Sequence, residues 1–348
     1  MTIQNEIARV SRKFGKTTRN PYAKAALVGA GVVAAAALVN FLVARRAERN
    51  NPPEGKFVTV KGVRLHYVER GEGDPLILLH GNGSMVQDFE ASGLIDMAAK
   101  SYRVIAFDRP GYGHSARPRR TIWTANAQAD LIHAAMGELG VKRAVVLGHS
   151  WGASVAVALA LHHPGDVAGL VLASGYYYPS LRSDVVTASG PAVPVLGDVL
   201  RYTLAPLLGR AIWPVVLRKL FGPSPTPAKF DRFPVAMALR PSTLRASAAE
   251  SALMIPNAIS ARGRYGEMSM PVAIVAGEED RIVDISSQSA RLHAELPQST
   301  FDRVAGVGHM VHQTDTPRVM AAIDRASGRT ARLPHEFVSD KELPLEVR

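Results

Sequence analysis

Residues 148–152 read Gly148-His149-Ser150-Trp151-Gly152, a G-x-S-x-G string. An apolar run of strand length, AVVLG at 144–148, precedes it, and an alanine-rich stretch with helical spacing, 153–163, follows. A sharp strand-to-helix turn at that junction would force the serine into a strained backbone conformation with its Oγ exposed. Small residues two before and two after let such a turn close. The helix start adds backbone N–H groups and a favourable field for a developing oxyanion. The chemistry this prepares is attack by a hydroxyl on an acyl carbon. The plain alternative for the string is a tight turn with an ordinary serine.

A serine hydroxyl is a poor nucleophile near neutral pH and needs a base that an acid holds in place. On a strand–turn–helix scaffold of this kind the chain order is serine, acid, histidine. Two later loops, each after an apolar strand-like run, carry candidates: Gly277-Glu278-Glu279-Asp280-Arg281 and Gly306-Val307-Gly308-His309. Both fall at strand carboxyl ends, as Ser150 does. Asp280 and His309 are the expected acid and base. Glu278, Glu279 and Asp284 compete for the acid, with solvated loop charge as their ordinary role. His312 competes with His309 but lies inside the run leading into the last helix. His149, His162 and His163 have no acid in the right loop.

An oxyanion hole needs two convergent N–H donors. Trp151, the residue after the nucleophile, offers one. The loop after LILLH (76–80) reads His80-Gly81-Asn82-Gly83 and offers the other at Asn82, with glycines allowing close backbone approach. No metal centre and no cofactor are expected. The chain has no cysteine and no H-E-x-x-H, and His309 with His312 is too small a ligand set. The lack of cysteine also excludes a disulfide scaffold and a thiol nucleophile.

These residues need a scaffold. At 348 residues, 47% apolar and 20% charged, the chain has globular composition. Eight strand-like runs lie at 57–60, 63–69, 76–80, 103–108, 144–148, 169–173, 272–276 and 299–304. Helical spacing occupies 121–139, 153–163, 284–296 and 315–326. This alternation predicts an α/β fold with a mainly parallel eight-stranded sheet and helices on both faces, which explains the uninterrupted apolar runs. Between 177 and 267 the alternation stops. That segment holds eleven of the 23 prolines, helical apolar patches at 199–208 and 212–220, and no strand-like run. It reads as a helical lid over the strand ends. The expected organisation is a basic tail (1–24), an apolar anchor (25–44), a linker (45–55), a core (56–176 and 268–327) split by the lid (177–267), and a polar tail (328–348).

The net charge of +11 is concentrated at the start, with nine Lys/Arg against two acids in residues 1–50 and 32 against 28 in the rest. The nearly balanced body gives no reason to expect nucleic-acid binding. Residues 25–44 carry no charge and one clearly polar side chain, Asn40. A helix of that length rises about 30 Å, which matches a bilayer core. The nine Leu, Val and Phe residues in it contribute about −4 kcal/mol to insertion, a favourable but shallow value. A single-pass anchor in the lipid bilayer is expected. A cleaved signal peptide and a buried soluble helix compete with it. No twin-arginine pair indicates Tat export. Six Lys/Arg precede the run and four follow it closely (Arg45, Arg46, Arg49 and Lys56). That bias weakly favours a cytoplasmic N-terminus and an exported body.

HGNG, FDRPGYGHS (107–115), GHSWG, GEEDRIV and GVGH together resemble the α/β-hydrolase superfamily, in its serine esterase-like branch with a helical cap. The likeness runs over about residues 57–327 and is specific for the superfamily, not for a substrate. It implies that His80, Asp108, Arg109, Gly111 and Gly113 are structural. It disfavours haloalkane dehalogenases and epoxide hydrolases, which carry Asp where this chain has Ser150. An alternative acid position in some members is occupied here by Ala173-Ser174-Gly175, so the acid should be Asp280. The implied activity is a serine hydrolase, carboxylesterase- or lipase-like, that forms an acyl-enzyme. Apolar residues of the lid (Leu204, Leu207, Leu208, Trp213, Phe221) and Tyr176, Tyr177 and Tyr178 point to a small hydrophobic ester as substrate, unless they serve only to glue the lid down. Carbon–carbon hydrolysis of a vinylogous diketone, acyl transfer to an alcohol, and an inactive binding module are the competing activities. The sequence carries no signal for oligomeric state.

Overall fold

The computed structural model describes residues 21–180, 189–193 and 196–330. Most of the expected basic tail and polar tail therefore lies outside the described residues. Eight strands form one sheet in the order β1-β2-β4-β3-β5-β6-β7-β8. They are β1 Lys56–Val60, β2 Val63–Arg70, β3 Asp74–Leu79, β4 Tyr102–Phe107, β5 Ala144–His149, β6 Val167–Ala173, β7 Val272–Gly277 and β8 Ser299–Val304. β2 runs antiparallel to both β1 and β4, and the other neighbours are parallel. The sheet is thus parallel through the part that carries the candidate loops, with an antiparallel hairpin at one edge.

Helices in chain order are α1 Pro21–Asn50, α2 Val86–Ser92, α3 Leu94–Ala98, α4 Ala125–Glu138, α5 Trp151–His162, α6 Leu196–Tyr202, α7 Ala205–Phe221, α8 Val235–Ala238, α9 Pro241–Ala261, α10 Arg291–Glu295, α11 Val311–Thr314 and α12 Thr316–Ala326. The apolar runs alternate between two cores. In β5, Ala144 and Val146 pack with α4 and α5 on one face, while Val145 and Leu147 pack with α2, α3 and α12 on the other. Period-two side chains buried on both faces give a continuous hydrophobic run, as parallel strands require.

Element ends follow local chemistry. The expected helix at 121–139 begins only at Ala125, because Thr124 stays extended and its hydroxyl accepts the Ala127 N–H at 3.1 Å. Asp315 caps α12 in the same way through Arg318 N. The expected 284–296 helix is a π turn over Ser286–Ala290 followed by α10. The segment between β6 and β7 holds α6 to α9 and no strand among the described residues. Its α6/α7 break falls at Thr203–Leu204 and not after Leu208; Gly209 sits inside α7, where a Cβ would meet Leu239 Cδ2 at 2.7 Å. The 21-residue α9 is rich in Ala and Ser and lacks a clear apolar period, so it is not legible as a helix from spacing.

Candidate active site

Ser150 sits between β5 and α5 at φ 53° and ψ −119°, a region side chains rarely adopt. Such strain costs on the order of 1–3 kcal/mol and persists only where the surroundings over-determine it. Two glycines make the turn possible. A Cβ at Gly148 would lie 2.3 Å from Gly152 O, and one at Gly152 would lie 2.1 Å from Leu79 O. The turn is pinned by Ser150 N donating to Ala173 O at 2.9 Å.

His309 follows β8 and Asp280 follows β7. His309 Nε2 lies 3.0 Å from Ser150 Oγ, and its Nδ1 lies 2.7 Å from Asp280 Oδ2. Asp280 Oδ1 accepts from Ile282 N at 2.7 Å and Val283 N at 2.9 Å, which fixes the carboxylate. A carboxylate only accepts, so Nδ1 carries the proton and Nε2 is left to accept from the serine hydroxyl. The His309 and Asp280 side chains are 4% and 2% exposed, so these polar contacts operate with little water around them. The geometry can pass a proton from Ser150 to His309 while Asp280 holds the imidazole in register.

The competitors are placed elsewhere. Glu278 pairs with Arg303 at 3.0 Å, and Asp284 accepts from Ser287 N and Oγ. His312 is buried with its Nε2 3.0 Å from Asp88 Oδ1. His149 sits behind the site, its Nε2 3.1 Å from the His309 carbonyl, and burial holds its pKa well below the usual histidine value. His162 and His163 lie beside Asp130. Two side-chain groups, Asp88/His149/His312 and His133/His163/Asp166, bring ligand-type atoms within 4.8 Å of one another, a proximity that no sequence spacing indicated. In the first, Asp88 already accepts from Ser84 and Gln313.

Both expected oxyanion positions lie close to Ser150, one next to it in the chain and one in the adjoining loop. Trp151 is the first residue of α5, so its N–H has no intrahelical acceptor. The loop after β3 passes so close that a Cβ on Gly81 would lie 3.1 Å from Ser150 Cβ, and Asn82 is the next residue. The Asn82 side chain is tied down. Its Oδ1 lies 2.8 Å from Tyr112 OH, and its Nδ2 donates to Ser247 O and Ser251 Oγ on α9.

A buried ion pair supports this loop. Arg109 and Glu250 are both fully buried and meet bidentately, Nη1–Oε1 at 2.5 Å and Nη2–Oε2 at 3.0 Å. Glu250 also accepts from Gln128 Nε2 and Tyr112 OH, and Arg109 donates to the carbonyls of His80 and Gly81. Sequence reading missed Glu250, although it is the sole charged residue between Arg245 and Arg262. Asp108 accepts from Val86 N and His114 N and lies 2.7 Å from His66 Nδ1, a structural role consistent with the resemblance.

His80 is buried, with Nε2 accepting Arg109 N at 3.0 Å and Nδ1 2.8 Å from Gly81 O, so the ring is neutral. Burial, and secondarily the Arg109 charge, bring its pKa down to about 4. The unfolded chain binds a proton at this ring below about 6.5 while the folded chain does not. The stability from His80 is therefore complete above that pH and is lost as pH falls toward 4; at pH 5 the loss is about 2 kcal/mol. His149 acts in the same direction. The thermal midpoint should be level from pH 8 to 7 and fall steadily between pH 6.5 and 4.5. A level midpoint down to pH 4.5 would contradict neutral buried rings.

Several apolar residues expected to line the site do other work. Tyr177 and Tyr178 belong to the main core and pack on Tyr265. Tyr176 packs with Ala258 and Val283. Phe221 and Trp213 join a cluster with Phe230 and Phe233. Leu204, Leu207 and Leu208 point outward and are 54%, 47% and 59% exposed, so they are not the buried contacts that hold the insertion down.

A family model for the alpha/beta hydrolase fold matches residues 74–316. The 2-hydroxymuconate semialdehyde hydrolase of Pseudomonas sp. strain CF600 is 34% identical over 136 residues, 38% of this chain and 48% of that relative. The match thus spans about half of that relative's length. The uncharacterized hydrolase YugF of Bacillus subtilis strain 168 is 27% identical over 263 residues, 73% of this chain and 90% of the relative. Among solved structures, a membrane phospholipase A described as a bacterial virulence factor aligns with a TM-score of 0.61 at 20% identity, covering 93% of this chain and 99% of that one. A thermophilic esterase from Thermogutta terrifontis aligns with a TM-score of 0.65 at 22% identity, covering 78% and 97%. With most of its sheet and both candidate loops inside the matched span, the chain belongs to the α/β-hydrolase fold family.

Proposed function

We propose that this chain is a membrane-anchored serine hydrolase that cleaves a hydrophobic carboxylic ester. The observation that carries the reading is the unbroken chain from Asp280 through His309 to the strained Ser150. His309 Nε2 takes the Ser150 proton as Oγ bonds to the acyl carbon. The carbonyl oxygen becomes an oxyanion facing the N–H groups of Trp151 and Asn82. Collapse expels the alcohol, which leaves with the proton from His309. Water then attacks the acyl-enzyme with His309 again as base, releasing the acid and restoring Ser150.

The relative from Pseudomonas sp. strain CF600 favours a second reading, hydrolysis of a carbon–carbon bond in a vinylogous diketone with the same three residues. Rates on p-nitrophenyl esters of graded chain length, beside rates on a ring-cleavage dienone, separate the two. The ester reading expects kcat/KM to rise with acyl length and to exceed the dienone value. Turnover of the dienone alone would transfer the proposal to carbon–carbon cleavage.

The anchor is α1, long and apolar enough to cross a membrane by length and composition. It reaches beyond the expected span at both ends, from Pro21 to Asn50. The flanking charge asymmetry, six Lys/Arg before the apolar run against four after it, weakly favours a cytoplasmic N-terminus and an exported catalytic body. Protease added to intact spheroplasts should then cut the catalytic body, and full protection would reverse the orientation.

A further inference from the structure

Large apolar side chains are exposed in two places almost exclusively. Of the twenty among the described residues, nine lie on α1 and nine within residues 193–215, leaving only Ile122 and Ile259 elsewhere. The second group is ordered. Leu204, Leu207, Leu208, Ile212 and Val215 follow i, i+3, i+4, i+8 and i+11 spacing, one stripe along the outer face of α7 and the residue before it. The inner face is already used: Trp213, Leu217 and Leu220 pack into the phenylalanine cluster. α6 adds Leu196, Val199 and Tyr202 at its own surface.

The position of α1 says what covers this stripe. Over residues 21–35 every α1 side chain except Ala23 is exposed. From Ala36 onward one face is covered, with Asn40 and Ala47 buried. Asn40, the lone polar residue of the apolar run, donates from Nδ2 to the carbonyls of Tyr202 at 3.0 Å and Thr203 at 2.6 Å, where α6 ends and α7 begins. Further on, Glu48 pairs with Arg240 at 3.0 Å. Asn40 precedes Arg45, the first charge after the span, by five residues, or about 7–8 Å of helix rise. For a helix along the bilayer normal, the start of α7 therefore lies about that far inside the level of Arg45. Interfacial amphipathic helices bury their apolar faces to about 5–10 Å.

We infer that the outer face of α7, continued by α6, lies in the same leaflet that α1 enters, so that the bilayer and not a protein covers the exposed stripe. The inference rests on the anchor reading above and adds a second contact with lipid. It also gives the stripe a bearing on the site. The C-terminal end of α7 touches the candidate base, with His309 N donating to Leu220 O at 2.9 Å. The helix that rests in lipid thus ends on the backbone of His309, and the active centre is held beside the phase into which a hydrophobic ester partitions.

The chain contains no cysteine, so a single introduced one labels a unique point. Leu208→Cys, Val33→Cys and Lys142→Cys, each in the full chain, would carry the fluorophore NBD in vesicles of phosphatidylcholine and phosphatidylglycerol. Lys142 is exposed at the opposite end of β5 from Ser150. Lipids with doxyl groups on the acyl chain should quench label at 208 and 33 and leave 142 unaffected. Quenching at 33 without quenching at 208 overturns the inference and leaves the anchor standing. Quenching at neither removes both. Blue-shifted emission at 208 that doxyl lipid does not quench means that a second copy covers the stripe, and also overturns it. In the triple variant Leu207→Ser/Leu208→Ser/Ile212→Ser, the rate on a long-chain ester held in vesicles, divided by the rate on a water-soluble acetyl ester, should fall about tenfold or more. An unchanged ratio would contradict a working contact with lipid.

Discussion

Replacing Ser150 by alanine should lower ester turnover by roughly 10⁴–10⁶-fold while the thermal midpoint stays within a few degrees of the parent. The change removes one oxygen atom and its bond to His309 Nε2, and it leaves both glycines and the turn in place. His309→Ala should lose about as much, because the three side chains act as a unit. Asp280→Asn should lose less, roughly 10²–10⁴-fold, since an amide can still hold the ring but favours the wrong tautomer. Initial rates and thermal melts of the three variants check this together. If Glu279→Gln matched that loss while Asp280→Asn were harmless, the acid would be misassigned.

Glu250→Ala should be the most destabilising single change outside the reacting groups. It strands the Arg109 guanidinium with no exposure to water and removes one acceptor each from Gln128 and Tyr112. Breaking a buried pair by removing one partner costs about 3–5 kcal/mol, which for a chain of this size lowers the thermal midpoint by roughly 10 °C. The exposed Glu278–Arg303 pair is the control, and Glu278→Ala should change stability by less than about 1 kcal/mol. Adding Arg109→Met to a Glu250→Leu chain should recover much of the loss, because the desolvated charge is gone. Glu250 also ties α9 to the loop that carries Asn82. Excising the insertion would uncover Arg109, so the sheet should not survive that deletion as a well-folded unit. Equal midpoints for Glu250→Ala and Glu278→Ala would contradict the buried-pair account.

What the sequence disclosed depended on whether the signal was local. The central strands of the sheet were legible because each is a short apolar run with a turn on either side, and the candidate residues Ser150, His309 and Asp280 because each sits in a glycine-marked loop at a strand end. Helix starts were misplaced where a cap and not a periodicity decides them, as at Thr124. Glu250 was missed because its partner is 141 residues away, and nothing near it in the chain announces that contact. The outward direction of Leu204, Leu207 and Leu208 was not legible for a related reason. Spacing shows that they share a face, but only packing shows which side of the helix the core occupies. Asn40 is the one clearly polar side chain of the apolar span, and its bonds to Tyr202 and Thr203, which tie the span to the insertion, have no local signal in the sequence.

The central claim is that Ser150 is a nucleophile activated by His309. Reaction with a fluorophosphonate, which bonds to an activated serine oxygen with loss of fluoride, tests it most directly. Intact mass followed by peptide mapping should show one adduct per chain, on the peptide containing Ser150. The adduct should be absent from Ser150→Ala and form far more slowly in His309→Ala. A folded wild-type chain that stays unlabelled, or that carries its adduct on another residue, would contradict the account.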